Sequence, residues 1–299
     1  MLIVTKSTGS WYELLDMETG KTIKARLRGS LRLKGSRSTN PVVVGDRVAV
    51  RGDDDDSCVI EEVLPRTNYI IRRASNLSKE SHILASNIDR VYIVATAAHP
   101  ATSPEFIDRV LVTAELYNIE AVILINKVDI DAGDMFREIY EKTPYRLVGI
   151  SALTGEGVDD FKKEIKGKTI LFAGNSGVGK STLINAINPS IMARTGAISE
   201  AHNKGRHTTT FSEIFRFGDG FLIDTPGVKG FGLLDIEPTD LWKSMPDLMH
   251  YGANCAFNDC THTHEPSCAV IAAVENGDIH PWRYESYLKM IDQDGGKYR

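Results

Sequence analysis

The stretch that decides the fold of this chain runs Gly174-Asn175-Ser176-Gly177-Val178-Gly179-Lys180-Ser181, with Thr182 directly after it. The apolar run at 169–173 predicts a buried strand, and the segment from 181 to 187 predicts the start of a helix. A glycine-rich loop between a strand and a helix, closed by Lys and Ser, is the phosphate-binding P-loop motif. The sequence therefore predicts an α/β domain built around a phosphate site.

The chemistry of phosphate binding explains each part of this motif. Glycines let the backbone wrap closely and point its N–H groups at phosphate oxygens, and the helix N-terminus adds a favourable dipole. Lys180 is predicted to neutralise the β- and γ-phosphates and so to contribute to catalysis, and the Ser181 hydroxyl is predicted to hold Mg²⁺. We therefore expect residues 174–182 to bind a nucleotide.

Length and composition indicate a globular chain of two or three domains. It has 299 residues, of which 42% are apolar, so a sizeable core is available. The longest aliphatic run is about five residues, far below the roughly twenty of a membrane-spanning helix, and residues 1–6 show no secretory signal. With four cysteines, three of them clustered, the sequence favours a reducing, cytoplasmic location without a membrane.

Charge and hydropathy patterns predict a small basic barrel at the N-terminus. The chain as a whole carries −5, but residues 1–50 hold nine basic and four acidic side chains, which leaves +5 there. Five short strands with a basic loop at 28–40 are typical of an OB-type barrel that binds single-stranded nucleic acid, although an SH3-like barrel also fits. A solvated charged sheet face would give the same composition. We expect a linker at 65–87.

From residue 90 the sequence alternates buried strands with amphipathic helices. Apolar runs at 91–95, 121–125, 146–150 and 169–173 predict strands, and the intervening segments show helical spacing. Such alternation predicts a parallel sheet with helices on both faces.

Two polar segments at predicted strand ends indicate recognition of guanine. In Asn126-Lys127-Val128-Asp129, the carboxylate of Asp129 can accept hydrogen bonds from guanine N1–H and its exocyclic amine, a donor pair that adenine lacks. Asn126 would brace the loop and Lys127 would lie along the base. After the next strand, Ser151-Ala152 begins a second loop, in which the Ala152 N–H could donate to guanine O6.

Two further segments are predicted to contact Mg²⁺ and the γ-phosphate. Asp224-Thr225-Pro226-Gly227 follows a strand, which places Asp224 to reach Mg²⁺ through water and the Gly227 N–H to sense the γ-phosphate. The threonines of Gly205-Arg206-His207-Thr208-Thr209-Thr210 could complete the Mg²⁺ shell, with Thr209 favoured over Thr208.

Together these motifs resemble those of the GTPase superfamily, but in a circularly permuted order in which the base motifs precede the P-loop. Such a permutation is tolerated where the original chain ends lie close together on the surface. Val228 stands where Ras-like enzymes carry a water-orienting Gln, so we expect slow intrinsic hydrolysis that a partner stimulates. His207 could orient the water, or it could simply pack within its segment.

A cysteine cluster near the C-terminus predicts a structural zinc site. Cys255, Cys260, His262 and Cys268 give a Cys-x4-Cys-x-His-x5-Cys spacing, and three thiolates with one imidazole form a closed tetrahedral Zn²⁺ site. His264 and His250 are alternative ligands. Helices are expected at 240–249, 269–276 and 284–292 around this cluster.

A small barrel, a permuted GTPase domain and a Cys₃His module in this order resemble the RsgA (YjeQ) family of small-subunit-dependent GTPases. The resemblance implies binding of GTP and GDP, of the 30S ribosomal subunit late in its maturation and of 16S rRNA, with hydrolysis stimulated by the subunit. We expect domains at 1–67, 68–235 and 236–299, in a monomer. Two alternatives are an RNA-binding factor whose turnover is incidental and a permuted GTPase of large-subunit assembly.

Overall fold

The structure is a computed structural model, and it describes residues 1–8, 11–27, 41–54, 57–73, 81–190, 213–224 and 236–295. The predicted basic loop at 28–40 lies outside these residues.

The N-terminal strands close into a barrel of the OB type. They are β1 (Leu2–Ser7), β2 (Trp11–Asp16), β3 (Thr22–Leu27), β4 (Arg47–Asp54) and β5 (Ser57–Val63). Strand β1 pairs with β2 and β4, β2 pairs with β3, and β5 pairs antiparallel with β4 and parallel with β3, so the ring is complete. Alternate side chains such as Val4, Leu14 and Ile60 fill the interior. This pairing decides between the two barrels that the sequence left open.

The expected linker at 65–87 is wrong, because these residues form a second small sheet. Strands β6 (Tyr69–Arg73) and β7 (Ser81–Ser86) pair as an antiparallel hairpin. Ile70 and Ala85 are fully buried and belong to the core of the central domain. The hairpin therefore fills the space between the barrel and the central sheet.

A buried polar cluster fixes the barrel to this hairpin. The Asp46 carboxylate is fully buried and accepts hydrogen bonds from Arg66 Nε (2.7 Å), Arg66 Nη2 (2.8 Å), Ser86 Oγ (2.6 Å) and the Val43 N–H (2.8 Å). Gly45, at φ +90°, lies so close to this hairpin that a Cβ would come within 2.1 Å of the Ser86 carbonyl oxygen. Only glycine fits this contact without displacing the backbone.

The central domain is a parallel sheet with one antiparallel edge strand. Its strands are β8 (Arg90–Ala95), β9 (Glu120–Asn126), β10 (Arg146–Ile150), β11 (Thr169–Ala173), β12 (Glu213–Phe217) and β13 (Gly220–Asp224), in the spatial order β10-β9-β8-β11-β13-β12. Helices α1 (Pro104–Leu116), α2 (Asp134–Tyr140), α3 (Val158–Glu164) and α4 (Lys180–Ile187) accompany them. Two buried clusters, one built around Ile123 and the other around Leu124, fill the two faces of the sheet, as the sequence predicted.

The barrel and the central sheet share one hydrogen-bonded edge. Lys6 of β1 is the register partner of Glu213, the first residue of β12. Through this pair the two units form one eleven-stranded sheet.

The C-terminal part is helical. It comprises a 3-10 helix (Pro238–Ser244) and helices α5 (Pro246–Gly252), α6 (Ala269–Glu275) and α7 (Pro281–Gly295). The single helix predicted at 240–249 is wrong, because Pro246 cannot continue the preceding helix and instead occupies the first position of α5.

A buried ion cluster joins this part to the central domain. Arg283 of α7 is 1% exposed and donates to Asp247 of α5 at 2.9 and 2.7 Å, and also to Asp108 of α1. Tyr140 of α2 donates to the same Asp108 oxygen at 2.7 Å. Burial raises the pKa of Asp108, with Arg283 opposing this shift. Because every charge in the cluster has a partner of opposite sign, the interface tolerates their burial.

Candidate nucleotide and zinc sites

The P-loop and the two predicted base segments lie together at the carboxyl ends of the parallel strands. Strands β8, β9, β10, β11 and β13 are mutually parallel, so their carboxyl ends lie together. The P-loop follows β11, and the Asn126 and Ser151 segments follow β9 and β10. Ligands of open parallel sheets bind in the crevice outside these ends.

Asn126 directly connects the predicted guanine site to the P-loop. Its side chain is 2% exposed, donates from Nδ2 to the Val178 carbonyl oxygen at 2.8 Å, and accepts from the Ala152 N–H at 3.0 Å. One amide at the end of β9 therefore connects the loops that follow β10 and β11. The Ala152 N–H is engaged with Asn126, so the predicted bond to guanine O6 would have to share or redirect this donor.

Lys127 makes a second connection to the P-loop. Its Nζ donates to the Gly177 carbonyl oxygen at 2.9 Å and to the carbonyl oxygen of His99. His99 belongs to the loop between β8 and α1, and the ring of Pro100 in this loop would be 3.2 Å from a Cβ on Gly177. No nucleotide-binding motif marks this loop in the sequence, so it was not predicted as part of the site.

The P-loop has the compact backbone that its glycines permit. Gly177 and Gly179 have φ values of +87° and +94°, and a Cβ at Gly179 would lie 2.4 Å from Asn126 Nδ2. Lys180 opens helix α4, and its Nζ donates to the Asn175 carbonyl oxygen at 2.8 Å and to that of Gly174. Ser176, Ser181 and Thr182 are exposed, which leaves their hydroxyl groups accessible to a ligand.

The remaining predicted base contacts are consistent with a guanine pocket. Asp129 is exposed three residues beyond the buried end of β9. Val128 leads to it, and the Val128 N–H donates to the Ile150 carbonyl oxygen at 3.2 Å. The buried Ser151 hydroxyl accepts from the Thr154 N–H at 3.1 Å and thereby shapes the loop after β10. These contacts place the two base-side loops next to each other.

Several predicted residues fall outside the described part of the chain. The segment at 205–210, with His207, Thr208 and Thr209, lies there, as do Gly227 and Val228. The backbone of Asp224 is described and ends β13, next to the P-loop strand.

The four predicted zinc ligands form a single cluster. The thiol sulfurs of Cys255, Cys260 and Cys268 and a ring nitrogen of His262 lie within 4.8 Å of one another. Cys255 Sγ is 3.8 Å from Cys268 Sγ, and His262 Nδ1 is 3.4 Å from each of these sulfurs. A tetrahedral zinc ion with its usual bond lengths requires S–S and N–S separations of about 3.8 and 3.6 Å. The cluster therefore fits Zn²⁺, and neither His264 nor His250 is needed.

The surroundings of the cluster hold its ligands in place. Burial raises the pKa of the Cys260 and Cys268 thiols and lowers that of His262, so a bound cation would stabilise the thiolate forms. The Glu265 carboxylate accepts from Thr261 Oγ1 (2.5 Å) and from the N–H groups of Thr261 (2.7 Å), Thr263 (3.0 Å) and His264 (3.2 Å). These bonds lower the pKa of Glu265 against the effect of burial.

None of the helices in the described residues is both long and apolar enough to cross a membrane.

A P-loop, a guanine-type loop and a second base loop on one parallel sheet, with the P-loop last in the chain, define a circularly permuted GTPase. Family models agree: that of the RsgA GTPase matches residues 63–234, and that of the RsgA N-terminal domain matches residues 3–60. This chain belongs to the RsgA GTPase family, and so it is a GTP-hydrolysing enzyme.

Curated relatives and solved structures cover the full length of the chain. It is 50% identical to the small ribosomal subunit biogenesis GTPase RsgA of Bacteroides fragilis, over 99% of this chain and 98% of that protein. The protein of the same name from Flavobacterium johnsoniae is 44% identical, over 99% and 94%. The crystal structure of YjeQ from Thermotoga maritima matches with a TM-score of 0.77 and 37% identity, over 98% and 97% of the two chains. YloQ, a circularly permuted GTPase, matches at 0.75 with 28% identity, over 100% and 96%.

Proposed function

We propose that this chain hydrolyses GTP to GDP and phosphate during late maturation of the small ribosomal subunit, and that the 30S subunit stimulates the reaction. Membership of the RsgA family and the names of the relatives support the biological role. The observation that carries the nucleotide chemistry is the Asn126–Val178 hydrogen bond, because it unites the base-side loop and the P-loop in one crevice.

The residues of this crevice divide between the base and the phosphates. Asp129 would accept from guanine N1–H and its amine, with Asn126 bracing the loop and Lys127 lying along the base. The P-loop N–H groups would hold the phosphates, and Lys180 would turn from the Asn175 carbonyl oxygen to neutralise their charge.

The oxygen-bearing side chains predicted to hold the metal match the preference of Mg²⁺. Ser181 at the start of α4, Asp224 at the end of β13 and Thr209 supply the hard oxygen ligands that Mg²⁺ prefers. When bound, the ion neutralises charge that develops on the phosphates. His207 is proposed to orient the attacking water, and the Gly227 N–H to sense the γ-phosphate.

Zinc, we propose, occupies the Cys₃His cluster in a structural role. Four protein ligands close the coordination shell, which leaves no position for a substrate. The protein would then act in the cytoplasm as a monomer that contacts 16S rRNA. Sedimentation of the zinc-loaded protein alone and with separated ribosomal subunits tests the oligomeric state and the choice of subunit.

A turnover assay tests the main proposal. Phosphate release from GTP is measured for the zinc-loaded protein alone, with purified 30S subunits and with 50S subunits, and the Lys180→Ala variant serves as the inactive control. We expect 30S subunits alone to raise the rate, and GDP to compete far better than ADP. Equal rates with and without 30S subunits would refute the ribosomal part, and equal competition by ADP would refute the guanine assignment.

A further inference from the structure

The predicted zinc ligand His262 has a second ring nitrogen that faces away from the metal cluster. Its Nδ1 lies 3.4 Å from the sulfurs of Cys255 and Cys268, which leaves Nε2 on the other side of the ring. His262 is fully buried, and Nε2 has no hydrogen-bond partner among the residues that the structure describes. A neutral imidazole that binds zinc through Nδ1 carries its proton on Nε2. The site therefore buries an N–H donor that still needs an acceptor.

The indole ring of Trp242 lies beside this donor. The two ring planes meet at 85° and the ring centres are 4.7 Å apart, so one ring presents its edge to the face of the other. The position of Gly252 indicates which edge this is. A Cβ at this glycine would lie 3.2 Å from His262 Nε2 and 2.7 Å from Trp242 Cζ3, so Nε2 and the six-membered ring of the indole border the same small space.

Neighbouring residues hold the indole in this place. Trp242 belongs to the 3-10 helix Pro238–Ser244, and its Nε1–H donates to the Thr239 carbonyl oxygen at 2.9 Å. Because the indole N–H is already used, the ring offers His262 its electron-rich face. Gly252 is buried in α5 and allows the two rings to approach, because it has no side chain.

We propose that Trp242 is a positioning residue of the zinc site and accepts the Nε2–H of His262 on the face of its indole ring. The inference rests on the proposed zinc site and adds a contact outside its four ligands. A histidine that binds zinc usually donates its second N–H to a carboxylate, a backbone carbonyl or a water, which fixes the orientation of the imidazole. In this chain the aromatic face takes that role. An N–H···π contact is weaker than a bond to oxygen, but the burial of His262 excludes water as a competitor.

Nuclear magnetic resonance of the full-length, zinc-loaded protein with isotopically labelled histidine tests the contact directly. A proton above an aromatic face is shifted upfield by the ring current, and a buried proton exchanges slowly with water. We expect one slowly exchanging imidazole N–H that has such a shift and shows nuclear Overhauser contacts to the ring protons of Trp242. A His262 N–H at an ordinary shift, or one without contacts to Trp242, would overturn the proposal without any substitution.

Two substitutions separate the aromatic face from the indole N–H. Trp242→Phe keeps a face but loses the bond to Thr239, whereas Trp242→Leu loses both. We expect Trp242→Leu to lower the zinc affinity, measured by chelator competition, about threefold or more, and Trp242→Phe to retain most of it. Trp11→Leu is the matched control, because Trp11 is 44% exposed and lies on β2 of the barrel. An unchanged affinity in Trp242→Leu, or equal losses in the Phe and Leu variants, would overturn the proposal.

Gly252→Ala tests the same contact without altering either ring. Its Cβ would enter the space between Trp242 and His262, so it should reduce the upfield shift of the His262 N–H. Gly52→Ala is the control, because a Cβ there would have no neighbour within 4 Å. The same shift in Gly252→Ala and the wild type would contradict the proposed geometry.

The zinc content of the wild type, measured by atomic absorption, separates this inference from the zinc assignment. If the wild type holds zinc and Cys255→Ser loses it, while the Trp242 variants match the wild type in affinity, the Trp242 contact alone has failed. A wild type without zinc would refute the zinc assignment and this inference with it.

Discussion

Asn126 and Val178 are 52 residues apart in sequence, yet the Asn126 amide nitrogen lies 2.8 Å from the Val178 carbonyl oxygen. This bond joins the segment that would hold the base to the segment that would hold the phosphates. Both groups are buried, so the bond is shielded from competition by water. Removing this bond is the most direct test of whether the base-side loop and the P-loop act as one binding site.

Asn126→Ala should weaken binding of both GTP and GDP by about tenfold or more, because it leaves the Val178 carbonyl and the Ala152 N–H without a partner. Titration with a fluorescent guanine nucleotide measures the effect. Asn188→Ala is a suitable control, since Asn188 caps the C-terminal end of helix α4, away from the P-loop. Equal affinities in Asn126→Ala and the wild type would show that the connection is dispensable.

Gly179→Ala should also weaken nucleotide binding, because its Cβ would meet Asn126 Nδ2 at 2.4 Å. Gly167→Ala provides the control: Gly167 has φ +74°, but a Cβ there would have no neighbour within 4 Å. Both variants bear the cost of a left-handed backbone, of order 1 kcal/mol. Thermal melting should therefore show a loss in both variants, larger in Gly179→Ala because its Cβ also displaces Asn126, while only Gly179→Ala lowers the affinity for GDP. A loss of affinity in both would point to backbone strain instead.

Arg283→Met should destabilise the docking of the C-terminal helices by about 3–5 kcal/mol, since it leaves Asp108 and Asp247 buried without their cation. Denaturant unfolding of the zinc-loaded protein, followed by Trp fluorescence, measures the change. Adding Asp108→Asn and Asp247→Asn to the same variant should restore part of the loss. Arg137→Met is the surface control. Arg137 is 52% exposed, and its Nε lies 3.9 Å from Asp134 Oδ1, so this exposed and loosely spaced ion pair contributes little to stability. Similar effects in both single variants would contradict the assigned role of the cluster.

Glu265→Ala should speed the release of zinc to a chelator without removing any ligand. The carboxylate organises the backbone on both sides of His262, and loss of such supporting contacts typically costs 10- to 100-fold in metal affinity. A colorimetric chelator assay on the intact protein follows the release. Glu285→Ala, on the exposed surface of α7, should leave the rate unchanged. A release rate identical to that of the wild type would mean that the four ligands alone hold the loop.

The sequence predicted the elements whose chemistry is local. Helix α1 begins at Pro104, and the Ser103 hydroxyl accepts from the Phe106 N–H at 3.3 Å. A Ser followed by a Pro is a helix start that can be recognised from the residue types alone. The four ligands of the zinc cluster could be predicted for the same reason, because residue type and spacing leave few other choices. The order of the base motifs and the P-loop likewise sufficed to predict the permuted sheet.

Features that depend on distant packing could not be predicted in this way. The hairpin of β6 and β7 was mistaken for a linker, because its apolar residues form short runs that become strands only when packed between two domains. Arg283 is one of 35 basic residues, and nothing near it in sequence identifies Asp108, 175 positions away, as its partner. The loop at His99 could not be predicted, because it contacts Lys127 through a backbone carbonyl group, which every residue possesses.

The pairing of Lys6 with Glu213 has a consequence for synthesis of the chain. The barrel strands end at Val63, so the barrel can close while its neighbour on the far side of β1 has still to emerge from the translating ribosome. At typical elongation rates the intervening 150 residues take roughly 8–30 s. During that interval the end of β1 around Lys6, beyond its pairing with β4, is an unpaired strand edge, and the aggregation risk that such an edge carries ends when β12 pairs with it.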